Sequence, residues 1–346
     1  MNPAADGPVD VDTARMLLAR LGVSIADLLE QPEPKPLAPT FGEYIPIVSN
    51  AVPSGSRRAY APYWNRVSAH WGDRRIDDVT PSDIAALAER VKRAAVQRRN
   101  ARGGNSAAEH LITALRCLYQ HAIADGLVDD ATNPAAKVAK PRRQASTRRG
   151  LPDVRVVELL KVASTTGNDP PLDALLLRLH IETACRRGGA LGLRLVDVDE
   201  QQCLVLLREK GETQRWQPVS PTLVAHLVAH AVRRGGDHGG PLLRYINGNP
   251  ITKRRYDYLW GRLGKSLPWV RTQQVSMHWL RHTTLTWVER NFGYAVARAF
   301  AGHSSARDTG TTSTYVRASI EEVSTALSAL TNEAHPLAES SRRGPS

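Results

Sequence analysis

The sequence predicts an α+β protein of two domains: an all-helical domain, then a mainly helical one carrying a small β-hairpin. Three observations predict it. A length of 346 residues suits two domains better than one. Capped, helix-periodic apolar stripes fill residues 38–136. Beyond residue 150, one pair of strand-like runs stands among further helical stretches, with a turn signal between the two. The expected boundaries are an N-terminal helical extension and Pro-rich linker over 1–37, a helical domain over 38–136, a basic linker over 137–150, a second domain over 151–332 and a disordered tail over 333–346.

Taken in order, Ala14 to Leu29 reads as one or two short helices with apolar Met16, Leu17, Leu21, Ile25 and Leu28. Pro32, Pro34 and Pro36 stiffen the linker that follows. This extension is acidic where an arm for a polyanion would be basic, so it reads as a protein-contact helix or a flexible cap. Tyr60, Tyr63, Trp64, Val67 and Trp71 form one stripe ending at Gly72, and Pro62 within it predicts a helix that starts late or bends. Thr80-Pro81-Ser82-Asp83 is an N-cap with proline at the first helical position. Ser106-Ala107-Ala108-Glu109 reads as a capping box, with Leu111, Leu115, Leu118 and Ala122 on the face behind it.

In the second domain, Asp153–Ala163 and Pro171–Thr183 read as helices. Cys203–Arg208 and Trp216–Val219 read as the strands of a hairpin, with Lys210-Gly211 in its turn. Ser220-Pro221 caps a helix running to Gly235, Ile251–Leu267 is another, and Ser319–Leu330 is a final amphipathic one with Ile320, Val323, Leu327 and Leu330 on its stripe.

A formal net charge of +12 and a pI near 9.9 point to a polyanion partner, nucleic acid before membrane. The charge is clustered. Lys92, Arg93, Arg98, Arg99 and Arg102 fall together with no acid among them. Residues 137–149 include Lys140, Arg142, Arg143, Arg148 and Arg149, again with no acid, and Pro141 keeps the run out of a helix. A solvated helix face is the bland reading of the first cluster and a nuclear-localisation signal that of the second; phosphate contact accounts for both more economically, the second as an interdomain strap. Arg57, Arg58 and Arg215 complete the expected DNA contacts. Cys117, Cys185 and Cys203 are odd in number and lack C-x-x-C spacing, which predicts neither a disulfide framework nor a zinc site. No apolar run approaches the ~18 residues of a membrane span, and the N-terminus lacks the marks of a signal peptide, so a cytoplasmic location is expected.

The chemistry concentrates in residues 276–315. His278 and Arg281 stand three apart in a helical stretch and share a face, offering an imidazole and a planar double donor that suit phosphate oxygens. Gly302-His303 brings a second imidazole at a turn, and Tyr315 supplies a phenol able to hold a phosphate covalently.

The pattern His278-Trp279-Leu280-Arg281-His282-Thr283, then Gly302-His303, then Tyr315 resembles the second half of the active site of the tyrosine recombinase (phage integrase) family. Thr183-Ala184-Cys185-Arg186 is similar to that family's first arginine box, T-G-x-R, and Lys210 with Arg215 stands where the family carries a hairpin lysine. Two departures show. His303 and Tyr315 are twelve positions apart, longer than the family's usual spacing, and Gly189 stands where the family usually has an acidic residue.

The resemblance covers roughly residues 40–330 and implies a SAM-like, all-α core-binding domain before a catalytic domain of the tyrosine recombinase type. It implies a site-specific DNA recombinase in which Arg186, Lys210, His278, Arg281 and His303 serve Tyr315 as nucleophile, with a 3′-phosphotyrosyl intermediate and no cofactor, metal or ATP. It also implies a tetramer joining two duplexes through an exchanged C-terminal helix, and allows an accessory DNA-bending or directionality protein. Rival readings are a type IB topoisomerase-like enzyme, a DNA-binding module without catalysis, and a weak i, i+4 metal pair at His278 and His282.

Overall fold

The chain divides into two units, residues 1–145 and 146–346, with the division inside the basic stretch. The computed structural model describes residues 11–22, 24, 37–95, 104–142, 150–209, 213–235, 239–302 and 318–340.

The first unit is all helical among its described residues. Helix α1 (Val11–Leu21) leaves Met16, Leu17 and Leu21 exposed. Four helices follow, α2 (Phe41–Ala51), α3 (Ser54–Trp71), α4 (Pro81–Arg93) and α5 (Asn105–Ala124), then the short α6 (Pro134–Lys137). Thr40 and Thr80 cap α2 and α4 through reciprocal boxes with Glu43 and Asp83. Two local expectations need correction. Helix α3 starts at Ser54 and runs through Pro62, because Pro62 lies on the exposed side, where the carbonyl freed at Arg58 meets solvent. Helix α5 has no Ser106 capping box; its N-cap is Gly104 in the left-handed region at φ 75°. A Cβ there would collide with the Lys92 carbonyl, so close approach to the end of α4 decides where α5 begins. The core joins Phe41, Trp64, Ile84, Leu111, Leu115 and Tyr119. Its aromatic polar tips are satisfied: Trp64 Nε1 donates to the Ala114 carbonyl at 3.0 Å and Tyr119 Oη to that of Ile76 at 2.8 Å.

The second unit is mainly helical around a small sheet. Helices α7 (Asp153–Thr165), α8 (Pro170–Thr183) and the short α9 (Arg187–Leu191) precede strands β1 (Val198–Asp199), β2 (Leu204–Arg208) and β3 (Gln214–Pro218). The sheet is antiparallel in the order β1-β2-β3, with Leu206 opposite Trp216 and Leu207 opposite Arg215. The hairpin is the expected one; β1, only two residues long, has no periodicity to read. Helices α10 (Pro221–Arg234), α11 (Lys253–Ser266), α12 (Pro268–Gln273), α13 (Met277–Ala301), α14 (Ile320–Thr331) and α15 (Pro336–Ser340) complete the unit. Helix α13 is broken at Gly293, whose φ of 83° is left-handed.

Helix α8 is the centre of this unit. Leu172, Leu176, Leu177 and Leu179 are fully buried on it. Its buried Asp173 receives Arg255 Nε at 2.8 Å and Arg262 Nη2 at 2.6 Å, while Asp169 at its N-cap receives Arg234 at 2.5 and 2.7 Å. These pairs tie α8 to α10 and α11, and removing one partner would leave a buried charge uncompensated.

The C-terminal end differs from expectation in its last residues. Residues 333–340 are packed, not disordered: Glu333 accepts from Arg178 Nη2 at 2.6 Å and Thr222 Oγ1 at 2.6 Å, and buried His335 lies 3.1 Å from the Cys203 carbonyl. Polar anchors of this kind leave no apolar period in the sequence. Helix α14, expected to dock on a neighbouring protomer or else to close its own core, packs within this chain, with Val323, Ala326 and Leu327 buried against Ala184, Val288, Val296 and Phe300. An apolar stripe serves either arrangement equally, so only the contacts separate them. Leu327 is 0% exposed, and Leu327→Ala should cost about 2–5 kcal/mol in urea unfolding of the isolated protein. An unchanged midpoint would mean that the helix does not sit in its own core in solution.

Candidate active site

Each motif sits at the end of an element. Helix α8 stops at Thr183, and Ala184 turns the chain through the left-handed region at φ 47°. Cys185 follows, buried, and Arg186 is the N-cap residue of α9. His278 and Arg281 lie on the first turns of α13, and Gly302 is its left-handed C-cap at φ 66°.

Arg281 joins these places. It is 5% exposed; Nη1 donates to the Ala184 carbonyl and Nη2 to the Ala301 carbonyl at 2.7 Å. One guanidinium thus holds the residue at the turn before Arg186 and the residue before Gly302. Glycine suits position 302 on two counts: its φ is left-handed, and a Cβ there would displace the Arg215 side chain. Arg186 Nη1 pairs with Glu209 Oε2 at 2.7 Å, and its backbone N–H donates to Glu209 Oε1 at 2.5 Å. Nε and Nη2 of Arg186 have no partner among the described residues, and its side chain is 41% exposed. Those are the atoms a bidentate contact to phosphate uses.

Arg186, Arg281 and His278 line one cavity of about 470 Å³, together with Arg187, Cys185 and Tyr256. Beneath it, the Tyr256 hydroxyl lies 3.0 Å from His180 Nε2, and His180 Nδ1 lies 3.1 Å from the Cys185 carbonyl. A carbonyl only accepts, so Nδ1 carries the proton and Nε2 accepts from Tyr256. This buried chain holds the residue preceding Arg186. The His278 and His282 rings stand edge to face with centroids 4.8 Å apart. Among the described residues no group of three or more His, Cys, Asp or Glu side chains is placed to hold a metal.

The site is crowded with positive charge. Burial pushes the Arg215 guanidinium down to about 10, with the Glu209 carboxylate acting the other way. Burial, then the charge of Arg186, lowers Arg281. Both stay protonated at neutral pH, and an incoming anion relieves the repulsion between them.

The other expected site residues distribute unevenly. Lys210, His303 and Tyr315 lie outside the described residues, as do Arg98, Arg99, Arg102, Arg143, Arg148 and Arg149. Arg57, Arg58, Arg93, Lys140 and Arg142 are exposed on the first unit; Lys92 pairs with Glu89 at 3.3 Å. Arg215, expected as a DNA contact, turns inward instead. Its Nη1 reaches Gln217, its Nη2 donates to the Thr183 carbonyl at 3.2 Å, and its buried Nε has no partner among the described residues. The inward aim follows from β3, where Arg215 pairs with buried Leu207. Glu209, His180 and Tyr256 were not expected from the sequence. Glu209 could have been found as an acid standing beside Lys210 in a chain whose acidic position 189 is glycine; His180 and Tyr256 carry no such signal.

Comparison with known proteins points to one family. The model of the phage integrase family matches residues 151–322, a stretch that contains Arg186, His278, Arg281 and Tyr315. Tyrosine recombinase XerD of Mycobacterium leprae is 29% identical over 287 residues, covering 76% of this chain and 87% of that protein. Among solved structures, a lambda integrase tetramer bound to a Holliday junction superposes with a TM-score of 0.60 at 13% identity, covering 92% of this chain and 89% of its own. The Tn1549 transposon integrase in complex with transposon right end DNA gives 0.61 at 17% identity, covering 85% of this chain and 100% of that one. The matched family stretch, the tyrosine recombinase relative and a fold shared with integrases place this chain: it belongs to the tyrosine recombinase (phage integrase) family of DNA strand-exchange enzymes.

Proposed function

We propose that this protein recombines DNA at specific sites by cleaving and rejoining strands through a 3′-phosphotyrosyl intermediate on Tyr315. The observation that carries the reading is the convergence of Arg186, Arg281 and His278 on one cavity. A phosphodiester resists attack because its oxygens are already negative. The free edge of Arg186 and the guanidinium of Arg281 supply planar donors for the non-bridging oxygens, and the added charge of the transition state strengthens those bonds.

In this reading Tyr315 Oη attacks phosphorus and loses its proton as the new P–O bond forms. The bond to the 5′-oxygen of deoxyribose breaks, and Lys210 gives that oxygen its proton. His278 and His303 assist proton transfer and hold the phosphate. One phosphate ester replaces another, so resealing by the reverse attack needs no ATP, and the reading assigns no step to a metal. Two duplexes are joined by a tetramer; the lambda integrase tetramer on a Holliday junction supports this assembly on the shared fold. Protomers that exchange α14 within it would first have to withdraw that helix from its own core. The basic strap and the exposed arginines of the first unit position the duplex without reading its sequence.

The decisive test uses a nicked suicide duplex carrying the recombination site. Tyr315→Phe should bind it normally and form no covalent adduct; an adduct with this variant would move the nucleophile elsewhere. Relaxation of a single supercoiled duplex without joining two sites would favour the topoisomerase-like alternative. Arg186→Lys and Arg281→Lys keep the charge but lose the planar fork. Each should lower the cleavage rate on the order of 100-fold or more with far less effect on affinity, and Arg281→Lys should also lower the unfolding midpoint, because its guanidinium holds the Ala184 and Ala301 carbonyls. Near-normal cleavage by either removes that arginine from the phosphate-holding set. Changing Arg142, Arg143, Arg148 and Arg149 to Ala should weaken binding to all duplexes alike and reduce the salt slope by about one for each phosphate no longer neutralised. An unchanged slope would mean the strap does not touch phosphate.

A further inference from the structure

The acidic position of the first arginine box is empty, yet a carboxylate occupies the space. Gly189 is buried on α9. A Cβ built on it would meet Glu209 Cγ at 3.3 Å and Glu209 Oε1 at 3.4 Å, so the volume into which a side chain at 189 would grow already holds the carboxyl group of Glu209. We propose that Glu209 is the positioning carboxylate of this active site, reaching from the end of β2 over Gly189 to hold Arg186 where an acid at position 189 would otherwise act.

Two contacts make the case. Glu209 Oε1 accepts the Arg186 backbone N–H at 2.5 Å and Oε2 accepts Nη1 at 2.7 Å, so one carboxylate fixes both the start of α9 and the guanidinium it carries. The Glu209 side chain is only 2% exposed, and a carboxylate so withdrawn from water persists where its lone pairs are met. Its own backbone is pinned, because the Glu209 N–H donates to the Thr213 carbonyl at 2.9 Å next to the β2–β3 ladder. The contact takes one face of Arg186 and leaves Nε and Nη2 to a ligand. A second carboxylate at 189 would meet the first in van der Waals contact and repel it, so glycine at 189 and glutamate at 209 form a matched pair.

The inference rests on the reading of Arg186 as a phosphate-holding residue, and its test separates the two. Four forms are compared: wild type, Glu209→Ala, Gly189→Glu, and the double variant Gly189→Glu/Glu209→Ala. Covalent-adduct formation on the suicide duplex should fall on the order of 100-fold in Glu209→Ala, the scale of a misplaced reacting contact, with duplex affinity unchanged. Gly189→Glu alone should fall as well, and the double variant should recover most of the loss. A mere structural ion pair predicts instead that affinity and thermal stability fall with cleavage and that Gly189→Glu rescues nothing. The second readout needs no DNA and no activity: phenylglyoxal labelling of Arg186, followed by mass spectrometry, should speed up in Glu209→Ala and return toward wild type in the double variant. Wild-type cleavage by Glu209→Ala, or a double variant no better than the single, overturns the positioning role. Absence of an adduct from wild type, with the labelling pattern intact, overturns the recombinase reading and leaves the pairing standing.

Discussion

The second unit depends on what Arg281 does with its two terminal nitrogens. A buried guanidinium costs several kcal/mol unless its donors are met. Here they are met by carbonyls from two separate stretches, Ala184 after α8 and Ala301 before Gly302. The guanidinium proposed to meet the phosphate is therefore also the bolt that brings the motif-bearing stretches together. Ala184 accepts a left-handed backbone, uncommon for a residue with a Cβ, and its carbonyl is spent on this bond. Loss of Arg281 would release the turn that aims Arg186 as well as remove a donor.

The remaining order flows outward from that bolt. Helix α8 must end at a fixed place for Ala184 to meet Arg281, and the buried pairs of Asp173 with Arg255 and Arg262 fix α8 along its length. The His180–Tyr256 hydrogen bond ties the same helix to α11 directly beneath Cys185. On the far side, α14 closes over Ala184 and Phe300, so the apolar end of the C-terminal stripe supports the same turn from behind. Positive charge accumulates as a result: burial first, and then neighbouring guanidiniums, lower the proton affinity of both Arg215 and Arg281. Glu209 relieves part of this and leaves the remainder for an anion.

Much of this was legible. The capped helices of the first unit, the lone hairpin and the order of arginine, lysine, histidine and tyrosine all follow from local chemistry, because caps, periods and motif spacings are written over a few consecutive residues. The misreadings share a cause. Pro62 looked like a late start or a bend, and Ser106 like a cap, because local rules apply unless a neighbour overrides them; the exposed setting of Pro62 and Arg58 and the approach of the Lys92 carbonyl did so. Arg215 looked like a surface cation, yet strand register turned it inward. Residues 333–340 looked disordered because the polar contacts of Glu333 and His335 leave no hydrophobic pattern.

By itself the sequence determined the fold class, the expectation of a polyanion partner and the family motifs, since residue type and short-range spacing decide these. Tertiary structure decided which groups meet. That Arg281 clamps Ala184 and Ala301, that Arg215 stands behind Gly302, and that Glu209 fills the space over Gly189 are contacts between residues 20 to 97 positions apart. A one-dimensional pattern carries the period of each element but not the distance between elements, and the site's charges are placed by that distance.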